Sequence, residues 1–207
     1  STPVGPAMAG TGAVLDFGLQ MTAGTYTVVA TITASGCSQT MAGSTVVTVS
    51  PLPNQYTVTG GGSYCASTPG VVVGLSYADA GVNYQLYRGL VPVGSPVAGT
   101  GSSVSFGLHL PAGLYTAVAT NATTGCVKNM ASSVTVAIDP LPSVYTVTGG
   151  GGYCTGTPGV NVGLSGSTPS VKYQLYKDGT PVGGPVTGTG SPLNFGVQTL
   201  TGSYTVV

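Results

Sequence analysis

Val71-Val72-Val73-Gly74-Leu75 is answered 89 residues later by Val160-Asn161-Val162-Gly163-Leu164. One polar residue has entered, at an alternate position. Successive side chains of a β-strand point to opposite faces. A segment that accepts Asn at one parity and keeps Val, Val and Leu at the other therefore reads as a strand with one dry face. The inward set is predicted to be Val71, Val73 and Leu75, matched by Val160, Val162 and Leu164. Val82-Asn83-Tyr84-Gln85-Leu86-Tyr87 alternates in the same way, with Val82, Tyr84 and Leu86 predicted to face inward.

The offset is constant along the chain. Cys37 and Cys126, Cys65 and Cys154, Tyr56 and Tyr145, Phe17 and Phe106, and Pro51 and Pro140 are each 89 apart. Residues 51–118 laid on 140–207 give 40 identities in 68 positions, and 1–50 laid on 90–139 give 23 in 50. Self-similarity at a fixed period marks an array of like modules. The expected organisation is 1–50 as the C-terminal part of one repeat, 51–139 as a complete repeat, and 140–207 as the N-terminal part of the next. Both ends fall inside a repeat, so the segment is expected to be a window on a longer array. Head-to-tail completion of the two partial repeats, in the manner of donated strands, would carry 29 redundant residues.

Within 51–139 the runs Gln55–Thr59, Ser63–Ala66, Val91–Val97, Ser102–Leu108, Leu114–Ala119 and Ser133–Ile138 add further short strands. With the two already described they make about seven or eight, parted by Gly and Pro turn signals. No stretch sustains a helical period. The predicted fold is all-β: tandem immunoglobulin-like Greek-key β-sandwiches. Pro51-Leu52-Pro53 and Pro140-Leu141-Pro142 join successive repeats. Proline holds itself and the preceding residue in extended geometry, so these junctions are predicted to be stiff spacers.

Charge is nearly absent. Asp16, Asp79, Asp139, Asp178, Arg88, Lys128, Lys172 and Lys177 are the whole complement, and they sum to zero. An ordinary soluble domain is roughly a quarter charged. The balance removes the electrostatic footprint of a nucleic-acid binder or a polybasic membrane anchor, and no apolar run is long enough for a spanning helix. Near-zero net charge also favours association. Copies of the chain itself are therefore the expected partners, with no nucleic acid and no membrane insertion in this segment.

Tyr64-Cys65, Tyr84-Gln85-Leu86-Tyr87, Gly113-Leu114-Tyr115-Thr116 and Gly125-Cys126 recur in an order that resembles the immunoglobulin-like repeats of very large secreted and cell-surface proteins of Bacteroidetes-type bacteria. The resemblance spans the whole chain. It implies an extracellular, cell-surface location. The chain departs from that pattern at Leu86 and Leu175, where a core Trp is common.

In an immunoglobulin-type topology the piece holding Cys65 runs beside the last strand, near Cys126, so Cys65 and Cys126 are expected to form a structural disulfide. A closed loop of about 60 residues would stabilise by about 4 kcal/mol in the chain-entropy model and would require an oxidising compartment. Pairing of Cys37 with Cys65 and of Cys126 with Cys154 across the Pro-Leu-Pro junctions stays open, as do free or metal-bound thiols.

No catalytic constellation emerges, and no enzymatic activity, cofactor or metal is expected. The four Asp share no phase of the repeat, which gives paired-carboxylate chemistry or calcium coordination no support. His109 is Gln20 and Gln198 in the other copies and is expected to be a solvated strand-end residue. Gly60–Gly62 and Gly149–Gly152 have no following helix to supply a phosphate-binding dipole, so they read as turn glycines. Tyr26, Tyr115 and Tyr204 follow Gly at a strand start, as in a tyrosine corner. Tyr87 and Tyr176 are expected to point outward and are the interaction candidates. The expected function is a structural segment of a long extracellular fibre or surface stalk made of disulfide-closed repeats that self-associate laterally. The alternative is an adhesin or carbohydrate-binding array on the bacterial surface, with surface glycans as ligands.

Overall fold

Val73 and Leu75 are buried while Val72 between them is 49 % exposed, and Val162 and Leu164 are buried while Asn161 is exposed. The parity read from one polar substitution thus holds in both copies; only Val71 and Val160, at the strand starts, are half-buried. The computed structural model describes residues 2–207. Among the described residues it is all-β, with nineteen strands in several sheets and no helix.

The chain divides into two units, each drawing on separated segments. The first takes residues up to Gly60, Val72–Gly107 and Gly113–Val134. Its strands include Val71–Ala78 flanked by Val58–Gly60 and Ser102–His109, and Val82–Arg88 flanked by Val91–Ala98 and Gly113–Asn121. The core is built by Val73, Leu75, Ala78, Val82, Tyr84, Leu86, Tyr115, Ala117 and Ala119. The inward alternation predicted for Val82, Tyr84 and Leu86 is the observed one.

The second unit takes Gly61–Val71, Leu108–Ala112 and Thr135–Val207. In it Val160–Leu164 lies between Val147–Gly149 and Leu193–Gln198, and Lys172–Lys177 lies between Thr180–Thr187 and Tyr204–Val206. Leu164, Tyr173 and Leu193 form its core cluster, with Tyr145, Val171, Val186, Phe195 and Val206 packed against it. Gly62–Cys65 pairs in parallel with Val134–Asp139, setting Cys65 opposite Asp139.

Strand registers recur at the sequence offset. Val58 opposes Leu75 and Val147 opposes Leu164; Leu86 opposes Ala117 and Leu175 opposes Val206; Val118 opposes Asn129 and Val29 opposes Thr40. Even the irregularities repeat. Tyr84 pairs with Val97 but Leu86 with Val93, and the same slip separates Tyr173 and Leu175. A slip leaves carbonyl groups without ladder partners. Gln85 lies at the slip, and its side-chain amide donates to the carbonyls of Leu86, Val93 and Gly94 at 2.8–3.2 Å. Gln174 does the same for Leu175, Val182 and Gly183. Replacing Gln85 by Leu keeps the bulk and deletes the donor, so it is expected to cost about 1–2 kcal/mol. Urea denaturation against a Gln174→Leu twin checks this; equal, negligible effects in both would remove the bulge role.

Between 51 and 139 the chain forms nine strands, more than the sequence suggested. The addition is Val127–Asn129, whose three residues Val-Lys-Asn show no alternation and are strand only because they pair with Val118–Thr120. At the other end Gln55–Thr59 shortens to Val58–Gly60, with Thr57 bridging Ala131. Pairing decides these boundaries elsewhere too. Residues 151–154 repeat Gly62–Cys65 in phase but form no strand, since the parallel partner of Gly62–Cys65 has no counterpart among 207 residues.

Candidate functional site

The interaction candidates sit on the faces opposite the core. Tyr87 alternates with buried Leu86 and lies in register between Pro92 and Thr116; Tyr176 alternates with buried Leu175 and lies between Pro181 and Thr205. Both are half-buried, so each offers part of a ring. Tyr87 lines an open depression of about 430 Å³ with Leu90, Thr116, Val118, Asn129 and Met130. A second depression, about 410 Å³, is bordered by Gly150–Gly152, Tyr153, Val160 and Tyr204.

The cysteines require a correction. All four are free thiols, and the expected Cys65–Cys126 disulfide is absent. Local pairing explains it: Cys65 is held opposite Asp139, whereas the Cys126 Sγ is directed at the Ser50 carbonyl, 3.8 Å away. The junction pairings through Cys37 and Cys154 are not formed either.

His109 is corrected as well. It is 8 % exposed rather than solvated, at the end of Ser102–His109 where Gly70 passes close: a Cβ there would stand 2.6 Å from the His109 carbonyl oxygen. The glycine runs are structural, as expected. Gly60 and Gly149 hold φ of 86° and 84°, and a Cβ on either would lie 2.1 Å from the carbonyl oxygen of Val72 or Asn161. The tyrosines after glycine anchor their own strand entries: the Tyr26 hydroxyl donates to the Thr22 carbonyl and that of Tyr204 to the Leu200 carbonyl, each at 2.8 Å. Tyr115, at the same phase, is fully buried.

One polar pair escaped the sequence reading because its members are 23 residues apart. The Tyr56 hydroxyl donates to Asp79 Oδ1 at 2.6 Å, and Asn54 donates to Oδ2 of the same carboxylate at 3.0 Å. The carboxylate's hold on the phenolic proton pushes the Tyr56 pKa up from 10.0 to about 12. A neutral phenol is therefore favoured by the fold. Its contribution to stability is complete below pH 10 and is lost as pH rises from 10 toward 12. At position 168 the carboxylate gives way to Thr, whose Oγ1 lies 3.3 Å from the Tyr145 hydroxyl. In an alkaline titration followed by phenolate absorbance, one tyrosine is expected to ionise near pH 12, and Asp79→Asn is expected to bring it down; an unchanged curve would dissociate the pair.

Among the described residues no group of three or more His, Cys, Asp or Glu gathers to hold a metal ion, and no helix is long and apolar enough to cross a membrane. The one ion pair among them, Lys177 to Asp178 at 2.8 Å, is at the surface; such pairs contribute little. No family model matches the chain, and no curated protein matches it.

Proposed function

We propose that the chain is a structural segment of a long extracellular fibre or surface stalk, built from tandem immunoglobulin-like Greek-key sandwiches over 1–50, 51–139 and 140–207, whose arrays associate side by side. The observation that carries this reading is the recurrence of every strand register compared above at one sequence offset, bulge included. A chain that spends its length restating one β-unit, with Pro-Leu-Pro at each join, is organised for reach. Hydroxyls of Tyr26 and Tyr204 bonding back four residues support the immunoglobulin-type assignment. Four cations and four anions in 207 residues leave little repulsion between neighbouring copies.

Electron microscopy of the native material tests the proposal. Rods with an axial step of one repeat are expected; isolated flexible monomers would reject it.

A second reading rests on the depression beside Tyr87, which joins an aromatic ring to Thr116 and Asn129 polar groups. Such a mixture suits a sugar ring. In this reading the array is an adhesin for surface glycans. Glycan-array binding that Tyr87→Ser abolishes would favour it over the purely mechanical role.

A further inference from the structure

Two contacts made by different cysteines fall on one position of the repeat. The Cys126 thiol approaches the carbonyl oxygen of Ser50 at 3.8 Å. Cys65 opposes Asp139, and the next amide, of Ala66, donates to the carbonyl oxygen of Asp139 at 3.1 Å. Ser50 and Asp139 are 89 residues apart, and each immediately precedes Pro-Leu-Pro. The carbonyl at the start of a junction is thus approached by the Cys65 segment of the block that ends there. It is also approached by the Cys126 thiol of the block that begins there.

We propose that successive blocks are stapled across each junction by a disulfide between the Cys65-type thiol of one block and the Cys126-type thiol of the next. The amide next to Cys65 and the Cys126 thiol thus share one acceptor position of the repeat, and a bridge closes where the two Cα atoms lie roughly 4.4–6.8 Å apart. Cys65 is solvent-exposed, so an oxidant reaches it. Both thiols lose a proton and together give two electrons to a small-molecule disulfide; the new Sγ–Sγ bond forms as the oxidant's S–S bond breaks and leaves as two thiols. The partner of Cys65 would be the cysteine in phase with Cys126 in the following block. The staple replaces the intrablock bridge expected from the sequence, and it gives each junction a second covalent connection beside Pro-Leu-Pro.

The staple rests on the tandem-array reading, but its test reads cysteine connectivity, whereas rods or monomers in micrographs decide the array. The chain is extended in register by appending a copy of residues 119–139 after Val207, oxidised in a glutathione redox buffer, and mapped by mass spectrometry of peptides. Cys65 bonded to the appended copy of Cys126 is expected, unaffected by Cys154→Ser, with Cys126 still alkylatable. A bridge from Cys154 to the appended cysteine, a Cys65–Cys126 bridge, or an appended cysteine that stays reduced would each overturn the proposal. Two variants of the 207-residue chain test the geometry without the extension. Ser50→Cys is expected to bridge to Cys126, and Asp139→Cys to Cys65, under the same buffer; failure of either removes the shared approach on which the staple depends.

Discussion

Leu86→Ala is expected to lower the stability of the first unit by about 3 kcal/mol. Leu86 is 1 % exposed and sits in register between Val93 and Ala117, so neighbours on both adjoining strands lose contact when the side chain is cut back. Ala117 is too small to follow into the space, and the slip beside Gln85 fixes the backbone on the Val93 side. Leu86→Met keeps the volume and is expected to cost under about 1.5 kcal/mol. The chain has no Trp, so tyrosine fluorescence and hydrogen exchange of Val82–Arg88 are the readouts during urea unfolding. Leu175→Ala, at the matching site of the second unit, should reproduce the loss in Lys172–Lys177. Equal losses for Leu86→Ala and Leu86→Met would mean that packing at this site is not what holds the strand.

Gly60→Ala is expected to be at least as damaging, about 3 kcal/mol or more. Two separate penalties meet there. The backbone holds a φ of 86°, in the left-handed region, and a Cβ would fall 2.1 Å from the Val72 carbonyl oxygen. Relief requires Val58–Gly60 to part from Val71–Ala78, which exposes the pairing of Thr59 with Gly74. Gly107 separates the two effects: it has a similar φ of 89° with nothing within 4 Å of the added carbon. Gly107→Ala should therefore show backbone strain alone, about 1–2 kcal/mol. Amide exchange at Thr59 and Gly74, with proteolysis rates, distinguishes the variants; identical effects of the two substitutions would discard the contact argument.

Much of the fold was legible because the sequence states it more than once. Asn161 in place of Val72 exposed the parity of a strand that either copy alone would have left ambiguous between a buried strand and a buried helix turn. The inward trio Val82, Tyr84 and Leu86 followed from period-two alternation by itself. What stayed hidden depends on partners far along the chain. Val127–Asn129 has no pattern of its own, and Tyr56 and Asp79 meet only after the strands between them are placed. Gln85 read as an outward polar residue because a register slip leaves no trace in composition. The cysteines failed for a related reason: an immunoglobulin-type topology suggested that Cys65 and Cys126 meet, while Cys65 pairs in register with Asp139 and the Cys126 thiol lies against the Ser50 carbonyl. His109 looked solvated from its replacement by Gln in the other copies, yet it is buried at a strand end whose backbone Gly70 passes closely. Of the interaction candidates, the alternation of Tyr87 and Tyr176 with buried Leu86 and Leu175 was legible from period two; their half-burial was not.

The Val91–Ala98 strand pairs with Val82–Arg88 and ends its sheet, and it carries Pro92 and Pro96; Thr180–Thr187 pairs with Lys172–Lys177 and carries Pro181 and Pro185. A proline has no amide hydrogen to offer a further strand. Blocks with 40 of 68 residues in common are otherwise well suited to capture one another's strands while nascent. Two missing donors per border interrupt such capture at its first step, so like blocks of this chain can mature separately.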